Sequence, residues 1–80
     1  MIRLVFLGRL ADLAGAAGID LAADAPMTLE SIIAELAPPL AAALCEARVK
    51  CALNGSIEAH KGLIAAPGDE LAFLPPVSGG

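Results

Sequence analysis

Apolar and polar positions change period several times along the chain, and each change marks an element. The stretch "IRLVFL", from Ile2 to Leu7, is rich in β-formers. A period of two puts Ile2, Leu4 and Phe6 on one face and Arg3, Val5 and Leu7 on the other, as in a strand with one wholly apolar side. Gly8 ends it, and "RLADLAG" places Leu10, Leu13 and Ala14 at helical spacing before a glycine stop, predicting a helix of about two turns. In "GIDLAAD", from Gly18 to Asp24, Ile19 and Leu21 alternate with Asp20, the pattern of an edge strand. "PMTLESIIAELAPP" carries the clearest helical signal: Thr28 as N-cap, Glu30 in the first turn, and a stripe of Leu29, Ile32, Ile33 and Leu36. Pro38 and Pro39 stop or redirect that helix, and "LAAALCEA", from Leu40 to Ala47, predicts a short continuation opened by Pro39. "RVKCALNG" then alternates Val49, Cys51 and Leu53 against Lys50 and Ala52 and closes on Asn54-Gly55, a strong hairpin dipeptide. A short strand around Ile57 and Glu58 follows. "APGDE" reads as a turn with Pro67 and Gly68 at its centre, delivering the chain into a last strand, "ELAFL". The order strand, helix, strand, helix, strand, strand, strand, with no repeat or linker, predicts one α+β domain.

Composition narrows what such a domain does. Of 80 residues, 58% are hydrophobic, many of them alanine, and Phe6 and Phe73 are the aromatic residues, so the core is built from small aliphatic groups. Five Lys and Arg against nine Asp and Glu leave a formal charge of −4, which argues against a surface that tracks phosphates and hence against nucleic acid. Charged residues Arg3, Arg9, Asp12 and Asp20 interrupt the first quarter, no apolar run reaches membrane-spanning length, and the opening lacks the features of a signal peptide. Two cysteines, Cys45 and Cys51, are too few for a disulfide framework and lack the spacing of a zinc site or a redox pair, pointing to a reducing compartment. The expectation is a soluble cytoplasmic protein without a membrane partner.

The first and last strands share a pattern. Their outward rows, Arg3, Val5, Leu7 and Glu70, Ala72, Leu74, each begin polar and end apolar. Paired in parallel, the strands would join Val5, Leu7, Ala72 and Leu74 into one apolar patch on the outer sheet face, and such patches mark contact sites. Beside it leaves "PPVSGG", which can be neither helix nor inner strand: prolines lack amide donors and glycines bring nothing to bury. The chain thus divides into a domain over 1–74 and a flexible, projecting tail over 75–80. Extended, the tail reaches roughly 20 Å, enough to thread a narrow channel, and Gly-Gly leaves its path unobstructed. On the bare dipeptide the reading would be a frayed terminus.

Context changes that. "GDELAFLPPVSGG" resembles the C-terminal signature of the molybdopterin synthase small subunit family (MoaD), in which a D-E-V-A-F-F/L strand precedes P-P-V-[ST/A]-G-G. "MIRLVFLGRLADLAG" is similar to the family's first strand and helix, "APMTLESIIAEL" sits where its main helix is expected, and "CALNG" resembles its A-V-N-G strand and turn. The resemblance spans the chain and implies a β-grasp, ubiquitin-like fold: a mixed sheet with a helix packed on one face and a C-terminal Gly-Gly tail. It further implies that an adenylyltransferase related to ubiquitin-activating enzymes uses ATP to adenylate the Gly80 carboxylate. Sulfur then replaces the adenylate, and the Gly80 thiocarboxylate donates it to cyclic pyranopterin monophosphate in the large subunit's active site. By the same carry-over, Pro75, Pro76, Val77, Ser78 and Gly79 enter that subunit, Leu74 and Leu7 dock on it, and two small subunits assemble with two large ones. The chain itself would bind no cofactor or metal and would be a non-catalytic subunit. One departure is the family's R-E-L pattern in the first helix, which reads "LADL" here, with the arginine earlier at Arg9.

Other residues read as structural. Cys51 alternates with Val49 and Leu53 and should behave as a small core hydrophobe; Cys45, near a helix end, is read the same way. His60 in "EAHKG" has no companion ligands and reads as a polar loop residue. Glu30, Glu35 and Glu46 read as solvated helix faces. Alternatives for the whole chain are a thiamine-pathway sulfur carrier, which also ends in Gly-Gly, and a ubiquitin-like modifier or binding module.

Overall fold

The computed structural model describes residues 1–76. Strand β1 (Ile2–Phe6) buries Ile2, Leu4 and Phe6, as its alternation predicts. Helix α1 (Arg9–Ala14) ends where Gly15 takes a left-handed conformation, φ 76°, and returns its N–H to the Ala11 carbonyl. Strand β2 (Gly18–Leu21) pairs antiparallel with β1 and forms one edge of the sheet, Ile19 and Leu21 half-buried and Asp20 outward. Helix α2 (Leu29–Ala34) is capped as expected: the Ser31 N–H donates to Thr28 Oγ1 at 3.2 Å.

Helix α3 (Pro38–Leu44) begins two residues before the predicted Leu40 and stops three before Ala47. Both prolines fit its first turn, where no N–H is required. Strand β4 (Lys50–Leu53) turns through Asn54 (φ 50°) and Gly55 (φ 85°) into β5 (Ser56–Glu58). The pairing Leu53 to Ser56 is that of a two-residue hairpin with positive φ at both central positions. Two short strands escaped the sequence reading: β3 (Met27–Thr28) and β6 (Ile64–Ala65) pair into a separate ribbon. Two residues are too few for a period of two to be visible. The predicted 66–69 turn, closed by Asp69 N–H to the Ala66 carbonyl with Gly68 at φ 94°, then leads into β7 (Glu70–Leu74).

The main sheet runs β2-β1-β7-β4-β5, with β1 and β7 parallel at its centre and the other pairs antiparallel. Ile2, Leu4, Phe6, Cys51, Leu71 and Phe73 project from it into one core with Leu10 of α1, Ile32 of α2 and Leu44 of α3. The Phe6 and Phe73 rings stack at 5.7 Å in the middle of it. This mixed sheet with helices on one face is a β-grasp fold, as the resemblance implied.

Asn54 ties the hairpin turn to the start of β7. Its N–H donates to the Glu70 carbonyl, its Oδ1 accepts the Glu70 N–H, and its Nδ2 donates to Asp69 Oδ1 at 3.1 Å. The Asp69 carboxylate also accepts the Ala66 N–H at 2.8 Å. The Ala66 bond first, and the Asn54 bond second, hold Asp69 below its usual pKa, because both stabilise the ionised form. A depressed folded pKa adds stability above the unfolded value and loses it as pH falls through the folded one. In urea titrations Asp69→Asn is therefore expected to unfold at lower denaturant than the parent at pH 7, with the gap closing below about pH 4. A gap that persisted undiminished in acid would contradict this role for the carboxylate.

Candidate functional site

Parallel pairing of the first and last strands is what the outer-face patch required, and it is present. Register places Arg3 opposite Glu70, Val5 opposite Ala72 and Phe6 opposite Phe73, and the Leu7 N–H donates to the Phe73 carbonyl at 3.1 Å. Phe6 and Phe73 face the core, so their neighbours Val5 and Ala72 face away from it. Val5, Ala72 and Leu74 are half-buried, and Leu7 is 42% exposed. Val5, Ala72 and Leu74 thus lie on the adjacent strands β1 and β7, and Leu7 directly follows β1.

The patch is wider than the sequence reading had it. Ala52 of β4 sits opposite Ala72, and Ile57 of β5 opposite Ala52, so Val5, Ala72, Ala52 and Ile57 make one row across four strands. Ile57 is 59% exposed. Lys50 pairs with Leu74 and sets a cation beside the apolar row, at the end where β7 gives way to Pro75. At the other end Arg3 and Asp20 form an ion pair at 3.0 Å, half-exposed on both sides and so worth little stability. The hairpin dipeptide could have placed Ile57 beside Ala52; nothing local places β4 beside β7, since that pairing is long-range.

Of the tail, Pro75 and Pro76 are described and are half-buried. Val77, Ser78, Gly79 and Gly80 lie outside the described residues. The remaining candidates fall elsewhere. Cys51 is fully buried, and burial pushes its thiol up to about 11, so it is a core residue and a poor nucleophile. Cys45 corrects the reading that grouped it with Cys51: as the residue closing α3 it is exposed, because Leu40 and Leu44 hold the core-facing side of the helix and the next position lies about 100° round from Leu44. His60 also departs from expectation. It is half-buried, and its Nε2 lies 2.6 Å from the Val49 carbonyl. A carbonyl only accepts, so Nε2 carries the proton, and His60 fastens the β5–β6 connection to the start of β4. Glu30, Glu35 and Glu46 are exposed, as read. Among the described residues no His, Cys, Asp and Glu side chains cluster as metal ligands, and no helix is long and apolar enough to cross a membrane.

An apolar sheet face of this kind can seat a partner. Several solved structures share this fold. SAMP1 (small archaeal modifier protein 1) from Haloferax volcanii is 28% identical, with a TM-score of 0.68 over 99% of this chain and 98% of that one. The HVO 2177 protein of Haloferax volcanii is 26% identical, with a TM-score of 0.69 over 99% of this chain and 85% of that one. The complex of subunits 1 and 2 of the molybdopterin-converting factor from Helicobacter pylori 26695 contains a chain that is 22% identical, with a TM-score of 0.65 over 99% of this chain and 97% of that one; at that identity the likeness is one of fold. No curated protein matches the sequence. The pattern of one family does match, across residues 4–80, so nearly the whole chain is covered. The chain belongs to the ThiS family, small ubiquitin-like sulfur carriers.

Proposed function

We propose that this sulfur carrier is the small subunit of a molybdopterin synthase. An adenylyltransferase related to ubiquitin-activating enzymes joins the Gly80 carboxylate to AMP from ATP, releasing pyrophosphate. A carboxylate is a poor electrophile, whereas in the acyl-adenylate AMP is a good leaving group. A sulfur nucleophile displaces AMP and leaves a thiocarboxylate. The large subunit seats the Val5, Leu7, Ala72 and Leu74 face, takes residues 75–80 into its active site, and there moves the sulfur onto cyclic pyranopterin monophosphate. General acids, bases and substrate contacts belong to that subunit, and this chain supplies a reactant. The assembly holds two small and two large subunits, and the work takes place in the cytoplasm.

One observation carries the reading: the "PPVSGG" segment follows a central strand, "ELAFL", whose outward residues and their neighbours form an apolar patch at the tail's root. Intact-mass measurement after incubation with the activating enzyme, ATP and a sulfur donor is expected to register one oxygen exchanged for sulfur at Gly80. The loaded protein should rescue cofactor synthesis in extracts lacking their own small subunit. Rescue of a thiamine auxotroph and not of a molybdenum-cofactor auxotroph would overturn the pathway while keeping the carrier. The likeness to a small archaeal modifier favours a second reading, conjugation of Gly80 to lysines of other proteins. A ladder of heavier species that disappears with an inactive activating enzyme would identify it.

A further inference from the structure

The end of the β1–β7 ladder is built. In this parallel pair the Arg3 N–H donates to the Asp69 carbonyl and the Leu7 N–H to the Phe73 carbonyl, at 3.0 and 3.1 Å. The next rung would run from the N–H of residue 75 to the Leu7 carbonyl. Proline at 75 has no such donor. The Leu7 carbonyl is engaged elsewhere: it accepts the Leu10 N–H at 3.1 Å in the first turn of α1. Both halves of the rung are removed, one from each strand.

Gly8 then fills the place where the strands part. Its backbone lies at φ 55°, ψ −135°, a conformation that side chains with a Cβ rarely adopt. A Cβ there would stand 3.1 Å from Pro75 Cγ, tighter than ordinary contact, and 3.9 Å from Cδ. The proline ring therefore occupies the space that a side chain at position 8 would need. Gly15 makes the contrast: its φ is 76°, yet nothing lies within 4 Å of where its Cβ would be.

We propose that Gly8 is a positioning residue for sulfur transfer: by seating the Pro75 ring it sets the line on which residues 75 and 76 leave the sheet, so that the arm meets the partner's channel already aimed. Two successive prolines preserve that line, because each fixes its own φ near −65°. A chain aimed before binding loses less freedom on insertion than one that must be ordered there. This inference rests on the arm entering a partner, as proposed above.

Three variants test it: Gly8→Ala, Pro75→Ala and Gly15→Ala. Each is preloaded as the thiocarboxylate and mixed with large subunit and substrate in single-turnover reactions, with docking affinity measured in parallel. Gly15→Ala also places a side chain at positive φ, in the left-handed helical region where L residues are better tolerated than at Gly8, without meeting the arm, and should transfer sulfur at the parent rate. Gly8→Ala and Pro75→Ala should keep docking affinity within about twofold while the transfer rate falls about ten- to a hundredfold, the scale of loss for a displacement of about 1 Å. A purely structural role for Gly8 would instead lower stability and leave the rate per docked complex unchanged. In the free protein, proton contacts between Gly8 Hα and the Pro75 ring should be strong in the parent and Gly15→Ala and lost in Gly8→Ala. Transfer by Gly8→Ala equal to that of Gly15→Ala overturns the inference. If the parent itself transfers no sulfur, the proposed function fails, and the free-protein contacts still decide whether Gly8 seats Pro75.

Discussion

An alanine added after Gly80 is expected to abolish oxygen-to-sulfur exchange and leave docking on the large subunit intact. The reacting group in this proposal is the terminal carboxylate itself. One further residue moves it about 3.3 to 3.6 Å along the arm. Since a misplacement of about 1 Å can already cost about a hundredfold in rate, the loss should exceed that. Deleting Gly80 should do the same by the opposite displacement. Intact mass after incubation with activating enzyme, ATP and sulfur donor reads the exchange, and calorimetry with the large subunit reads docking. Undiminished sulfur loading of the extended chain would refute the assignment to Gly80. A docking loss comparable to the loading loss would mean that the tail, and not the sheet face, carries affinity.

The second large effect is expected on the sheet face. Ala72→Asp places a carboxylate at the centre of the row of Val5, Ala72, Ala52 and Ile57, and Leu7→Asp places one beside the arm. An unpaired charge forced into a desolvated contact costs about 2 to 5 kcal/mol, or roughly 30-fold to a few thousandfold in Kd. Leu7 is exposed in the free protein, so Leu7→Asp should change its stability by no more than about 0.5 kcal/mol. Ile57→Asp, at the far end of the row from β1, should weaken docking less. Ile64, exposed on the β3–β6 ribbon, serves as control, and Ile64→Asp should bind as the parent does. Parent-like binding by both Ala72→Asp and Leu7→Asp would remove this face from the interface.

Legibility followed the range of the interactions. Thr28 as cap, Gly15 as helix stop, Asn54-Gly55 as hairpin and Pro67-Gly68 as turn were readable because each acts within four residues of its own backbone. The strands β1 and β7 were readable because five residues suffice to display a period of two. The two-residue strands β3 and β6 were not, for want of length. Cys45 was misplaced because its exposure depends on which face of α3 the tertiary packing turns inward, here that of Leu40 and Leu44, and His60 because its partner, the Val49 carbonyl, is eleven residues away.

The candidate site divides along the same line. By itself the sequence determined which residues alternate outward and that prolines after Leu74 interrupt the ladder, while its resemblance to a known signature implied the chemistry proposed for Gly80. These are local properties: side-chain period, missing amide donors and missing Cβ atoms. Only the tertiary structure decided that β4 lies beside β7, which widens the patch to Ala52 and Ile57 and sets Lys50 at its edge. It alone decided that the Pro75 ring rests on Gly8, 67 residues earlier in the chain. Both contacts depend on strand order, which is settled when the shared core of Phe6, Phe73 and the helices closes and not by any short stretch of residues.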